Sequence, residues 1–253
     1  MNYTAKSLRT VHLGGIGQSQ LHGTNDDGGP LDQSRRDSDY STWSDVVHGA
    51  RTWYPDLIDL CHHYLGRVLV VQNLASSGAG ADPAISTLIN YLGHSNTINN
   101  WGEPNGFDVA GIPRKSLWHY AQPVLVAAGV THVEICLGTR DAGAPAAVYA
   151  ANLALLVDRL LSMGIKIMMH HCPDSSSSDR DEISLGHKML LGSYVDNKTV
   201  WEGVNFYEAM PARLPTPSYS RLMKDTHHLS VWGYEWASRA IFRRYADTRW
   251  LEA

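Results

Sequence analysis

The chain has 253 residues, of which 43% are hydrophobic and 18% charged, a balance that suits one large α/β domain over residues 1–253 and excludes a fibrous or disordered chain. A net charge of −4 and a pI near 6.3 argue against nucleic acid or an anionic membrane as the main partner. Three cysteines, Cys61, Cys136 and Cys172, stand in apolar surroundings without metal-ligand spacing and read as buried thiols rather than a disulfide framework. The polar start from Met1 to Arg9 does not resemble a signal peptide, and no apolar run approaches the ~18 residues of a membrane span. The expected setting is the cytoplasm, or a domain excised from a secreted or virion protein.

Strands and helices alternate along the chain. Val11 to Ile16 predicts a first strand ending at Gly17, and the polar stretch Gly23 to Ser44 a long surface loop. Pro55 suits the first turn of a helix whose residues Leu57, Ile58, Cys61 and Leu65 share one face before Gly66 stops it. Val68 to Leu74 reads as a buried parallel strand that breaks into Ser76-Ser77-Gly78-Ala79-Gly80. A helix is expected around Pro83 to Leu92, then a polar insertion, Gly93 to Ile112, holding Asn99, Asn100, Trp101 and Asn105 and placed to overhang a site.

Lys115 to Ala128 reads as a helix and Val133 to Leu137 as a strand ending at Gly138-Thr139-Arg140-Asp141. In Pro145 to Met163, Tyr149, Leu153, Leu156 and Leu160 recur at helical spacing and Gly164 supplies the stop. Ile165 to Met169 is the next strand, Val204 to Tyr207 a short last one, and Ser230 caps a final helix, Val231 to Tyr245. This alternation predicts a parallel sheet covered on both faces.

Sites in such sheets form at the carboxyl ends of strands, and Ser19, Gly78, Arg140 and His170-His171 all follow predicted strands. Asp225, three residues before His228 and just ahead of the last helix, suits an orienting carboxylate beside an imidazole base, with His227 as the rival base. Ser19, in Gly17-Gln18-Ser19-Gln20, offers a nucleophile, because an imidazole that takes the hydroxyl proton makes serine reactive at neutral pH. The absence of Gly-x-Ser-x-Gly around Ser19 argues against the nucleophile elbow of the α/β-hydrolases.

These blocks resemble the SGNH (GDSL-type) hydrolases, and Gly17-Gln18-Ser19 is similar to the version in sialate and other carbohydrate O-acetylesterases. The four blocks occur in order: Ser19; Asn73 to Gly78; Gly138-Thr139-Arg140-Asp141; and Asp225, His228 and Gly233. The resemblance implies a flavodoxin-like three-layer α/β/α sandwich and a cofactor-independent serine esterase acting on short acyl groups of a carbohydrate. It assigns Ser19, His228 and Asp225 as nucleophile, base and orienter, and the backbone N–H groups of Ser19 and Gly78 to an oxyanion hole.

Arg140 stands where that pattern has an asparagine. It either replaces the amide donor, holds an acidic sugar or carboxylate near the ester, or pairs with Asp141 or another acid at the surface. The substrate class is a small-molecule or glycan ester. An acyltransferase with the same triad, and a glycan-binding module that has lost catalysis, are the other readings. His62-His63 is expected to be exposed on its helix, and His170-His171-Cys172 lacks a second ligand cluster for a metal. Trp43, Trp53, Trp101 and Trp118 read either as a sugar cleft or as packing.

Overall fold

The structure is a computed structural model that describes residues 9–17, 40–42, 52–102, 115–172, 180–196, 198–206, 222–223 and 228–253. Eight strands are described: β1 (Arg9–Gly17), β2 (Tyr40–Thr42), β3 (Arg67–Asn73), β4 (Leu88–Tyr91), β5 (His94–Ile98), β6 (His132–Leu137), β7 (Lys166–His171) and β8 (Val200–Asn205). The longer helices are α1 (Tyr54–Leu60), α2 (Leu117–Ala127), α3 (Ala146–Ser162), α4 (Arg180–Ser193) and α5 (Val231–Thr248).

Six strands form one sheet in the order β2-β3-β1-β6-β7-β8, with every neighbouring pair parallel. Without the three-residue edge strand β2 this is the flavodoxin-like order, and its direction of growth reverses between β1 and β6. The crevice beyond the carboxyl ends of that pair is where doubly wound sheets bind ligands.

Side-chain alternation along the strands builds two cores. On one face, Val11, Leu13, Leu69, Val71 and Cys136 pack with Trp53, Leu57, Tyr234, Ile241 and Tyr245 from α1, α5 and their surroundings. On the other, Ile16, Val133, Ile135, Ile167 and Met169 meet Leu117, Leu125, Tyr149, Leu153, Leu156 and Leu160 of α2 and α3. Gly14 lets α2 lie close, since a Cβ there would come within 2.9 Å of Leu125 Cδ2.

All six residues of β6 are buried, including Glu134. Its carboxylate receives the indole N–H of Trp53 at 3.2 Å, the Nε2 of His170 at 3.2 Å and the hydroxyl of Tyr245. His170 Nδ1 accepts the Val204 N–H at 3.0 Å, which fixes the ring proton on Nε2, facing Glu134. Burial acts to raise the Glu134 pKa, but its donors outweigh it and hold the carboxyl below its ordinary value of 4.5.

Most expected elements are present with slightly different ends, two expectations are corrected, and one helix is added. The stretch Pro83 to Leu92 is not a helix: Leu88–Tyr91 pairs antiparallel with His94–Ile98. Leu92 and Gly93, with φ of 52° and 79°, form a two-residue hairpin turn whose twist matches the strands. Tyr40–Thr42, inside the expected loop 23–44, adds an edge strand beside β3. Helix α4 was not foreseen. It seats Ile183, His187 and Leu190 inward and uses Gly186 to approach α3, where a Cβ would lie 2.8 Å from the Ala146 carbonyl oxygen. The three cysteines are buried free thiols, as expected, with the sulfurs of Cys136 and Cys172 3.5 Å apart.

Candidate active site

β1 ends at Gly17, in register with Cys136 of β6. The Gly17 carbonyl oxygen accepts the Ser76 N–H at 3.1 Å and the Trp101 indole N–H at 3.2 Å. The end of β1 is thereby held beside the turn that follows β3. Ser19 itself, like Asp225 and His227, lies outside the described residues.

The turn after β3 is built from its own polar side chains. Asn73 Oδ1 accepts the Ala75 N–H at 3.2 Å, the Tyr91 hydroxyl donates to the Leu74 carbonyl at 2.7 Å, and the Ala79 N–H returns to Ser76. Gly78 takes φ +69°, a left-handed conformation that glycine adopts without steric cost. The one described atom near a Cβ built there is Asn99 Nδ2, at 3.6 Å.

Asn99 extends from β5 and is 3% exposed. Its Oδ1 accepts the Ser76 hydroxyl at 2.9 Å and its Nδ2 donates to the Ser77 carbonyl at 2.8 Å. Because a carbonyl only accepts, the second contact fixes which end of the amide is nitrogen. The hairpin thus brackets the turn, and a further bond from the Trp101 N–H to the Gly80 carbonyl at 2.9 Å closes it.

After β6 the chain turns at Gly138, where φ is +142° and a Cβ would strike Ile183 at 2.6 Å. Asp141 points inward and accepts the N–H groups of Ala81 and Asp82, each at 2.9 Å through Oδ1. Burial pushes its carboxyl up to about 6 against the pull of those bonds and of the nearby Arg140 charge. Arg140 is exposed on the outer side of this turn, so the third sequence block joins the second through Asp141.

His228 is half-buried in a setting that fixes its backbone. Met223 and Leu229 form an antiparallel bridge, the Ser230 N–H donates to the Leu222 carbonyl at 2.9 Å, and Ser230 Oγ caps α5 by accepting the Gly233 N–H at 3.1 Å. Gly233 is required there, because a Cβ would lie 2.0 Å from the Leu222 oxygen.

His170 and His171 do not follow β7 but belong to it. His170 serves the Glu134 network, while His171 stacks on His187 at 4.6 Å. Trp53, Trp101 and Trp118 are buried packing residues, Trp43 lies outside the described residues, and His62 and His63 are exposed as expected. Among the described residues no group of three His, Cys, Asp or Glu side chains is arranged to hold a metal ion, and no helix is long and apolar enough to cross a membrane. Sequence reasoning set Asn99 inside an overhanging insertion without a role. Its one signal was the Asn-Asn-Trp cluster in an otherwise unpatterned stretch.

The fold is that of the SGNH (GDSL-type) hydrolases and carbohydrate esterases. A family two carbohydrate esterase from Clostridium thermocellum, in complex with cellohexaose, superposes with a TM-score of 0.58 at 13% identity over 95% of this chain, which spans 65% of that protein. An acetyl-xylooligosaccharide esterase from Geobacillus gives 0.58 at 15% identity, over 94% of this chain and 95% of the other. A GDSL-like lipase from Bacteroides thetaiotaomicron gives 0.53 at 12% identity, over 93% and 88%. No protein-family model and no curated protein matches the sequence.

Proposed function

We propose that this chain is a serine esterase that removes acetyl or another short acyl group from a carbohydrate. The observation that carries the reading is the Gly17 carbonyl held by Ser76 and Trp101, which sets the end of β1 beside the Gly78 turn at the switch point of the sheet. The fixed backbone around His228 and the esterase neighbours support it, two of them named as acting on or binding carbohydrate.

In this reading Ser19 Oγ attacks the ester carbonyl while His228 takes its proton and Asp225 steadies the imidazolium. The carbonyl oxygen becomes an oxyanion facing the N–H groups of Ser19 and Gly78. Collapse expels the sugar oxygen, which recovers the proton from His228, and leaves acyl-Ser19. Water, deprotonated by His228, then releases the carboxylic acid and restores the serine.

The test is hydrolysis of 4-nitrophenyl acetate and then of acetylated xylo-oligosaccharides by the native protein, Ser19→Ala and His228→Ala. Turnover abolished in both variants is the expected result. Turnover surviving Ser19→Ala would overturn the nucleophile, and a folded native protein inert toward every ester would overturn the activity. Acyl transfer to added sugar in preference to water would redefine it as a transferase.

A further inference from the structure

Resting on the esterase reading, we infer that Asn99, not Arg140, is the third oxyanion-hole donor of this site. The Arg140 position is exposed, on a turn whose inward-facing member is Asp141. Its longer side chain ends in a charged fork, a poor replacement for a short buried amide at one fixed point. Asn99 instead lies against Gly78, the residue whose N–H the hole requires, with Nδ2 at 3.6 Å from the Cβ position.

The Asn99 amide is also held as a preorganised donor must be. Oδ1 is anchored by the Ser76 hydroxyl, and one Nδ2 hydrogen is committed to the Ser77 carbonyl. Asn99's own backbone N–H is tied to the Thr87 carbonyl at 2.8 Å. The second Nδ2 hydrogen has no acceptor among the described residues. Two donors that each approach an oxygen at about 2.9 Å can converge on one atom across a separation of up to nearly twice that, and Nδ2 lies 3.6 Å from the Cβ position of Gly78. During attack Asn99 exchanges no proton. It donates a hydrogen bond that strengthens as the carbonyl oxygen gains charge, and relaxes when the tetrahedral intermediate collapses.

The experiment compares native protein, Asn99→Ala, Asn99→Ser and Arg140→Ala by kcat and KM on 4-nitrophenyl acetate, inhibition by phenylboronic acid and thermal midpoint. The boronate forms a tetrahedral serine adduct and reads the hole without turnover. The expected result is a kcat loss of about 10²–10³-fold in Asn99→Ala with KM little changed, boronate affinity weakened in parallel, and partial recovery in Asn99→Ser through its hydroxyl. Native kcat in Asn99→Ala overturns the inference, as does a loss seen only in thermal midpoint with boronate affinity intact, or a larger kcat loss in Arg140→Ala. A native protein with neither turnover nor boronate binding overturns the esterase reading and this inference with it. An active native enzyme indifferent to Asn99 overturns the inference alone.

Discussion

Glu134 and His170 face each other across neighbouring strands, with 3.2 Å between Oε1 and Nε2 and both side chains fully buried. Trp53 and Tyr245 complete the carboxylate's partners, so α1, β6, β7 and α5 meet at one ionised group. Such a network is costly to break because removing one member leaves the others desolvated and unpaired. Glu134→Ala should lose about 3–5 kcal/mol in denaturant unfolding, the range for a disrupted buried charge. Glu134→Gln keeps the volume but sets an NH₂ against donors, so it should also be destabilising.

The same carboxyl sets a pH dependence. Its folded pKa lies below 4.5 because its hydrogen bonds overcome burial, so its stabilising contribution is complete above about 4.5 and is lost as pH falls through the folded value. The gap in unfolding midpoint between native protein and Glu134→Gln should therefore narrow in acid below pH 4.5. A gap that widens there would contradict an ionised Glu134.

Asp141 has the opposite sign. Burial raises its carboxyl from 3.8 to about 6, so the unfolded chain ionises first and stability falls as pH rises between those values. Asp141→Asn keeps an Oδ1 acceptor for the Ala81 and Asp82 N–H groups and removes the buried charge. Its midpoint should gain on native protein between pH 3.8 and about 6 and hold that gain at neutrality. A destabilised Asp141→Asn at pH 7 would mean that the charge itself holds the turn.

The parallel sheet and its two helix-covered faces were legible because β1, β3, β6 and β7 are short apolar runs and α3 has an unbroken apolar stripe; the strand order followed only from the resemblance. The hairpin was misread because Ile85 to Tyr91 carries no clean alternation, and the Leu92-Gly93 turn shows its conformation only in the backbone. Helix α4 was missed because its buried face includes a histidine and a glycine, residues that weaken a periodic signal. Around the candidate site, the glycine turn after β3 and the Ser230 cap beside His228 were readable from the local sequence. The Asn99–Gly78 approach was not, since it joins residues brought together only by the hairpin's fold.

Gly233 tests how tightly His228 is set. A methyl group there would meet the Leu222 carbonyl oxygen at 2.0 Å, and the backbone would have to move to accept it. That displaces both the Ser230 to Leu222 bond and the α5 cap. Gly233→Ala should cost about 1–3 kcal/mol as an overpacked site and, on the proposed reading, lower turnover of 4-nitrophenyl acetate by moving His228. Gly129→Ala is the comparison: φ is +62° but nothing lies within 4 Å of the added carbon, so it should cost about 1–2 kcal/mol of backbone strain and spare turnover.

Trp101 separates anchoring from packing at the mouth of β1. Its ring is fully buried, meets Tyr91 edge-on at 6.4 Å, and donates to the Gly17 carbonyl two residues before Ser19. Trp101→Phe retains most of the buried area and loses that bond, at a cost near 1 kcal/mol, since the Ser76 N–H still reaches the same oxygen. Trp101→Ala should cost about 3–5 kcal/mol through the cavity it opens. If the bond positions the nucleophile segment, Trp101→Phe should lower kcat on 4-nitrophenyl acetate by more than its small stability loss explains, because a misplacement of about 1 Å is enough to cost 10²-fold. Native kcat in Trp101→Phe would make the indole a packing element alone and leave the Ser76 N–H as the sufficient anchor of Gly17.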